Sequence, residues 1–365
     1  GFYYLIGTLA SASMVVYFGG FIDKIRLQVW TLIVIGGLFC ACLVFTTAQN
    51  AMFMTLGIFM LRFFGQGLMS HTSSASMARY FDKYRGRALA IAGFGEPTYT
   101  ILLPIPVSLL LLHYDWRFIW LTIAAILCAS LALMVPTLLG KSRYFGELEA
   151  KNEQLKAQNQ ETKGQNEDLL KGLTRNQMLK TLRFRLLLPI ALVPSFVNTG
   201  VVFHHQHLAL EKGWGNIGAI FPIFAIVAVV SSVVLGTLVD KFTARKLIWL
   251  PMVPMTLAML VFSLDLGPIA AYVGFGLIGV TSGGTNTIVT AVWPEMFGTK
   301  HLGSIRALSA TLMVIGSALA PYLMGALFDE GWSTELVCTI VAVISLSAMV
   351  CGLVLSRYQA KATWS

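Results

Sequence analysis

The sequence predicts an all-α polytopic membrane protein, and three observations carry that prediction. Of the 365 residues, 56% are hydrophobic, and the mean hydropathy is +0.73. Only 12% are charged, where a soluble domain carries about 25%. The apolar runs reach the roughly 20 residues that a helix needs to cross a hydrocarbon core of about 30 Å. Inside a bilayer every backbone N–H and C=O needs a partner, which leaves helices or closed barrels. Continuous runs, rather than short alternating segments, select helices. A water-soluble enzyme or binding domain of ordinary make-up is excluded.

Eleven spans follow in order, each bounded by charge or turn residues. The run 1–22 stops at Asp23 and Lys24, 29–47 lies between Arg26 and Asn50, and 51–70 contains one charge, Arg62. The run 87–112 starts at Arg87 and contains Glu96, and 117–139 lies between Arg117 and Lys141. Later runs are 186–209 after Arg185, 215–239 before Asp240, 247–264 after Lys246 and 268–290 before Glu295. The last two are 303–327, with Arg306 in its first turn, and 333–355 before Arg357. Gly1 is not an initiator Met and the chain opens inside an apolar run, so a longer protein is expected.

Positive residues set the orientation. Of the 26 Lys and Arg, Arg117 and Lys212 fall on one side and Arg62 lies inside a span; the remainder share the other side, which is therefore read as cytoplasmic. The same distribution explains the net charge of +9 without nucleic acid as a partner. The stretch 141–185 is polar and mixed in charge, reading as a solvated helix or linker. Within it Leu173, Met178 and Leu182, with Lys180, Arg183 and Arg185, fit a short helix lying on the membrane surface. The expected organisation is an N-terminal helix bundle over 1–140, a cytoplasmic loop over 141–185 and a C-terminal bundle over 186–365.

The sequence GGFIDK (Gly19–Lys24) recurs as GTLVDK (Gly236–Lys241), 217 residues later and at an equivalent place after an apolar span. These motifs resemble the G-x-x-x-D-[RK] signature of the major facilitator superfamily, which joins helices two and three and recurs between eight and nine. In both copies the glycine of the pattern three residues after Asp is replaced, by Arg26 and by Thr243. The resemblance implies the major facilitator fold of two pseudo-symmetric helix bundles, with 11 of 12 helices present and the first one missing. ARYFDKYRGRALAIAGFG (Ala78–Gly95) and WPEMFGTKHLGSIRAL (Trp293–Leu308) are similar to segments of the monocarboxylate and oxalate/formate branch. The helix-five antiporter pattern is interrupted at Gly95-Glu96-Pro97, which argues against a drug/proton antiporter. In helix four the family's Arg is followed three and four residues on by Gln-Gly; here Arg62 precedes Gln66-Gly67, one residue later.

Charges at membrane depth are costly and generally face the bundle interior with a partner. Measured from cytoplasmic ends near Ser74 and Arg87, Arg62 and Glu96 lie about 12 and 9 residues deep, within roughly 5 Å of each other in depth at 1.5 Å per residue. Arg62 is therefore a candidate anion-binding group, and Glu96 its counter-ion or a proton carrier; a purely structural ion pair is the competing reading. The resemblance implies that helices seven and ten line the cavity, making Asn198, Thr199 and Asn286 further substrate candidates, with helix–helix hydrogen bonding as the alternative. It also implies a cytoplasmic latch in which Asp23 with Lys24 and Asp240 with Lys241 dock against helix starts carrying Arg87 and Arg306, with positive-inside anchoring of the basic residues as the alternative. An Asp at a helix N-terminus is favoured by the dipole there. His204 and His207 share a helix face and suit metal binding, titration or interfacial packing. Gly274, Gly276, Gly279, Gly283 and Gly284 indicate close helix packing.

No phosphate loop, His-Glu-x-x-His or Gly-x-Ser-x-Gly motif is present, so nucleotide hydrolysis is not encoded and the expectation is a non-enzyme. The sequence calls for no cofactor and no metal. The expected function is secondary transport by alternating access of a small organic anion such as a monocarboxylate, by proton symport or anion exchange. Expected partners are that substrate, protons and the lipid bilayer of a bacterial plasma membrane. Export of amphipathic drugs or metabolites, and a transport-inactive sensor or assembly role, are the alternatives.

Overall fold

The computed structural model describes residues 1–18, 21–22, 25–73, 76, 95–140, 172–215, 217–298 and 302–357. Their regular structure is helical, with one isolated bridge between Gly172 and Gly298. In chain order the helices are α1 (Phe2–Phe18), α2 (Leu27–Thr47), α3 (Ala51–Ser73), α4 (Gly95–Leu102), α5 (Pro104–Leu111) and α6 (Trp116–Gly140). They continue as α7 (Arg175–Leu179), α8 (Leu182–Glu211), α9 (Ile220–Phe242), α10 (Ala244–Leu247) and α11 (Met252–Ser263). The last are α12 (Ile269–Phe297), α13 (Leu302–Asp329) and α14 (Thr334–Arg357).

Among the described residues eight helices are long and apolar enough to cross a bilayer. The other expected spans are helical too. The first is α1, and 268–290 is α12, whose glycines and threonines dilute its apolar character. The described part of 87–112 divides into α4 and α5 at Leu103, because Pro104 lacks an N–H and disfavours helical geometry at the residue before it.

Local chemistry fixes several helix starts. Asn50 Oδ1 accepts from the Phe53 N–H at 3.0 Å and opens α3, and Thr181 Oγ1 accepts from the Phe184 N–H at 3.2 Å and opens α8. The cap of α14 comes from another helix. Glu211, the last residue of α8, accepts from the Thr334 N–H at 2.9 Å and its hydroxyl at 2.5 Å. Beside it Lys212 Nζ meets Glu335 at 2.8 Å, so the end of α8 is tied to the start of α14.

The described residues fall into two compact units, one drawn from Phe2–Thr98 and Ile105–Asn166, the other from Gly1, Tyr99–Pro104 and Glu167–Ser365. In the first, α1 packs along α3, and α2 packs against both α6 and α3. In the second, α9 packs along α12, and α11 packs against both α14 and α12, while α8 pairs with α13 and α14. The pairings α1–α3, α2–α6 and α2–α3 recur in chain order as α9–α12, α11–α14 and α11–α12, the repeat expected of two pseudo-symmetric bundles.

The core of the first unit is built on Ile22, Leu27, Trp30, Val34, Phe63 and Leu68, with the Trp30 indole donating to Thr72 Oγ1 at 2.9 Å to lock α2 to α3. The second has a larger apolar core in which Phe262, Phe275, Trp293 and Phe297 are fully buried. The surface helix expected around Met178 differs from what is found. Met178 is completely buried in that core, Leu173 packs against it, and the Leu173 N–H bonds to the Phe297 carbonyl at 2.9 Å. Packing into the bundle removes Met178 from both water and lipid, and of the leucines nearby Leu179 and Leu182 stay exposed.

Candidate functional site

Arg62 is the middle residue of the 23-residue span Ala51–Ser73. At this depth an isolated guanidinium costs at least about 2.5–3.5 kcal/mol, so its surroundings bear on function. Here α3 changes register. Leu61–Met69 is a π-helical stretch, a geometry in which backbone bonds run i→i+5 and which is frequent at functional sites. Within it Arg62 Nη1 donates to Gln66 Oε1, and the guanidinium carbon stands 4.8 Å from the centre of the Tyr4 ring on α1. Arg62 and Tyr4 are half-buried and Gln66 is exposed. The aromatic face stabilises the cation without neutralising it.

The expected counter-ion, Glu96, is on α4, but its side chain lies outside the described residues. Asn198 and Thr199 are half-buried on α8, and the Asn198 Oδ1 atom is buried without a hydrogen-bond partner. An unsatisfied buried acceptor is costly, so a polar group delivered from elsewhere would be favourable there. On α12, Asn286 is exposed, whereas the neighbouring Thr285 is buried with its hydroxyl unpartnered. Thr287 Oγ1 meets Ser232 Oγ of α9 at 3.0 Å, a bond between helices, and donates to the Gly283 carbonyl one turn back on α12 itself at 3.0 Å. Sequence reasoning passed over Tyr4, 58 positions from Arg62 and without a local signal. Gln66 was visible as part of a motif but not as a partner.

Asp23, Lys24 and Arg87 lie outside the described residues, as does the side chain of Arg306 at the start of α13. Asp240 and Lys241 are exposed in the last turn of α9. Immediately beyond, Thr243 has φ 73° and ψ 144°, among the described residues the only non-glycine at positive φ. This is the place where the signature carries glycine, so the backbone keeps the glycine geometry without the glycine. The Arg26 backbone, at the matching place in the first copy, has φ −54°. The turn after Thr243 is held by Glu295 of α12, whose carboxylate accepts from the Arg245 N–H at 3.3 Å. A β-branched residue in such a conformation costs about 1–3 kcal/mol. Thr243→Gly should therefore raise the thermal unfolding midpoint in detergent, by about 1 kcal/mol net of the entropy that glycine adds to the unfolded chain. An unchanged or lower midpoint contradicts the strain.

His204 Nε2 lies 3.2 Å from the Pro321 carbonyl of α13, and His207 is 3.4 Å from Glu211 with its ring tilted against that of Phe328, centroids 4.4 Å apart. His205 bonds back to the Val202 carbonyl at 2.7 Å. The two histidines on one face thus join helices α8 and α13 by packing and hydrogen bonding.

The family model of the Major Facilitator Superfamily matches residues 1–313 and, overlapping, 215–364. The chain belongs to the major facilitator superfamily. Its fold is that of this superfamily, and it is a multi-pass integral membrane protein. The chain is 27% identical over 138 residues to the glucose transporter GlcP of Staphylococcus epidermidis, a match covering 37% of this chain and 30% of that protein. It thus spans less than a third of that relative's length. Among solved structures it is similar to the nucleoside transporter NupG, with a TM-score of 0.68 at 13% identity, over 98% of this chain and 90% of that one. At that identity the likeness is one of fold.

Proposed function

We propose that this superfamily member is a secondary carrier working by alternating access, with a small organic anion such as a monocarboxylate as substrate, moved by proton symport or anion exchange. The observation that carries the reading is Arg62, a cation at mid-span whose described neighbours, Gln66 and Tyr4, are uncharged. A carboxylate would supply the missing negative charge and use the guanidinium's planar fork. Glu96 acts as the exchangeable counter-ion or proton carrier, and Asn198, Thr199 and Asn286 contribute polar contacts. Asp23, Lys24 and Arg87, with Asp240, Lys241 and Arg306, form the cytoplasmic latch.

A second reading, an uncharged polyhydroxylated substrate, is supported by the unpartnered Asn198 Oδ1 and Thr285 Oγ1, both suited to hydroxyl donors. The named relatives, a glucose transporter and a nucleoside transporter, lean the same way. Counterflow in proteoliposomes of the full-length protein separates the two. Labelled lactate, glucose and uridine are offered with and without a pH gradient. The expected result is exchange of lactate; exchange of glucose or uridine alone replaces the anion reading, and no exchange of any solute favours a sensor role.

A further inference from the structure

Gln66 is a neutral acceptor held against a cation at membrane depth. Its amide oxygen takes one of the five N–H donors of the Arg62 guanidinium, and the Tyr4 ring lies against the cation. Neither partner carries charge, so Arg62 is oriented while its positive charge remains uncompensated by them. The spacing of four residues between Arg62 and Gln66 puts the two side chains on one face of the helix, here within the π-helical stretch Leu61–Met69. Gly67, next to Gln66, lets α1 approach closely: a Cβ there would stand 2.4 Å from Val15 Cγ2, on the helix that carries Tyr4.

We propose that Gln66 sets the charge preference of the carrier, holding the Arg62 fork in a fixed plane without cancelling its charge. The inference rests on the reading that Arg62 faces the substrate. Gln66 is thereby a positioning residue, and its neutrality is the functional property. A carboxylate of the same shape at this position would become a permanent internal counter-ion and displace the substrate's own negative charge. An apolar residue would leave the charge in place but the fork untethered, weakening affinity while keeping the preference for anions.

The test uses the full chain in proteoliposomes with two panels of labelled solutes, lactate, pyruvate and oxalate against glucose and uridine. The wild type is expected to favour the anion panel. Gln66→Glu should lower the anion-to-neutral uptake ratio about ten-fold or more, whereas Gln66→Leu should raise the KM for the anion with the ratio kept. Should the Gln66→Glu variant fail to accumulate, the charge is installed after folding. Gln66→Cys is treated with an anionic or a cationic methanethiosulfonate of matched size, and untreated and treated wild type control for the five native cysteines. Loss of anion uptake with the anionic reagent but not the cationic one supports the proposal. Anion preference that survives Gln66→Glu, or equal effects of the two reagents, overturns it while the anion reading stands. A wild type that takes only neutral solutes, or none of the five, ends both.

Discussion

Replacing Arg62 with glutamine should lower uptake of an anionic substrate by about ten- to a hundred-fold, with little change in the thermal unfolding of the protein. Hydrogen bonds to charged groups are worth roughly 1.5–3 kcal/mol, and each 1.4 kcal/mol is a factor of ten. Arg62→Lys is the sharper comparison. It keeps the charge but removes the planar fork and weakens the contact with the Tyr4 ring, so KM should rise while turnover at saturating substrate changes little. A structural tie predicts otherwise: loss of Arg62 would then shift unfolding and uptake together. Unaltered substrate affinity and pH dependence in Arg62→Lys and Glu96→Gln variants that insert normally would remove both residues from the transport site.

The substitution Gly283→Ala should be the most damaging single methyl group in the second unit, costing about 3 kcal/mol, the upper end for overpacking in a close-packed interior. A Cβ at this position would stand 2.2 Å from the Ala228 carbonyl oxygen and 2.8 Å from the Ser232 amide nitrogen. Both are backbone atoms of α9, which cannot rotate aside as a side chain could. The helices α9 and α12 must separate, and the 3.0 Å contact between Ser232 and Thr287 one turn along goes with them. Gly276→Ala, on the same helix, is the control. The nearest atom to its Cβ would be Ile223 Cγ2 at 3.9 Å, ordinary van der Waals contact. Unfolding midpoints in detergent should fall steeply for the first and stay within about 1 kcal/mol of wild type for the second. Equal effects would mean that the two helices are not held at the distance described.

These two sites show where sequence reading carries and where it stops. Five glycines in one span signal close helix contact, yet nothing local says that a Cβ at Gly283 would clash with backbone while one at Gly276 would make only an ordinary side-chain contact; that depends on the rotation of α12 against α9. Arg62 stood out because a lone cation in an apolar run is expensive wherever the chain folds. Its ring partner, Tyr4, did not, since a cation–π contact between residues far apart in sequence exists only once α1 and α3 have packed. The repeat of Gly236–Lys241 drew attention to Thr243 as a departure from a motif, and the fold added that its backbone keeps the positive φ. Met178 was read as a surface residue because an amphipathic pattern looks alike facing lipid or facing a bundle.

The sequence by itself determined that this chain lies in a membrane as a set of helices. Hydrophobic transfer and backbone hydrogen-bond satisfaction act residue by residue along a span, so composition and run length suffice to read them. Only the tertiary structure decided which helices pair, which glycine is indispensable, and that the Tyr4 ring lies against Arg62. Those outcomes arise from many side chains competing for the same space, and no single stretch of the chain contains that competition.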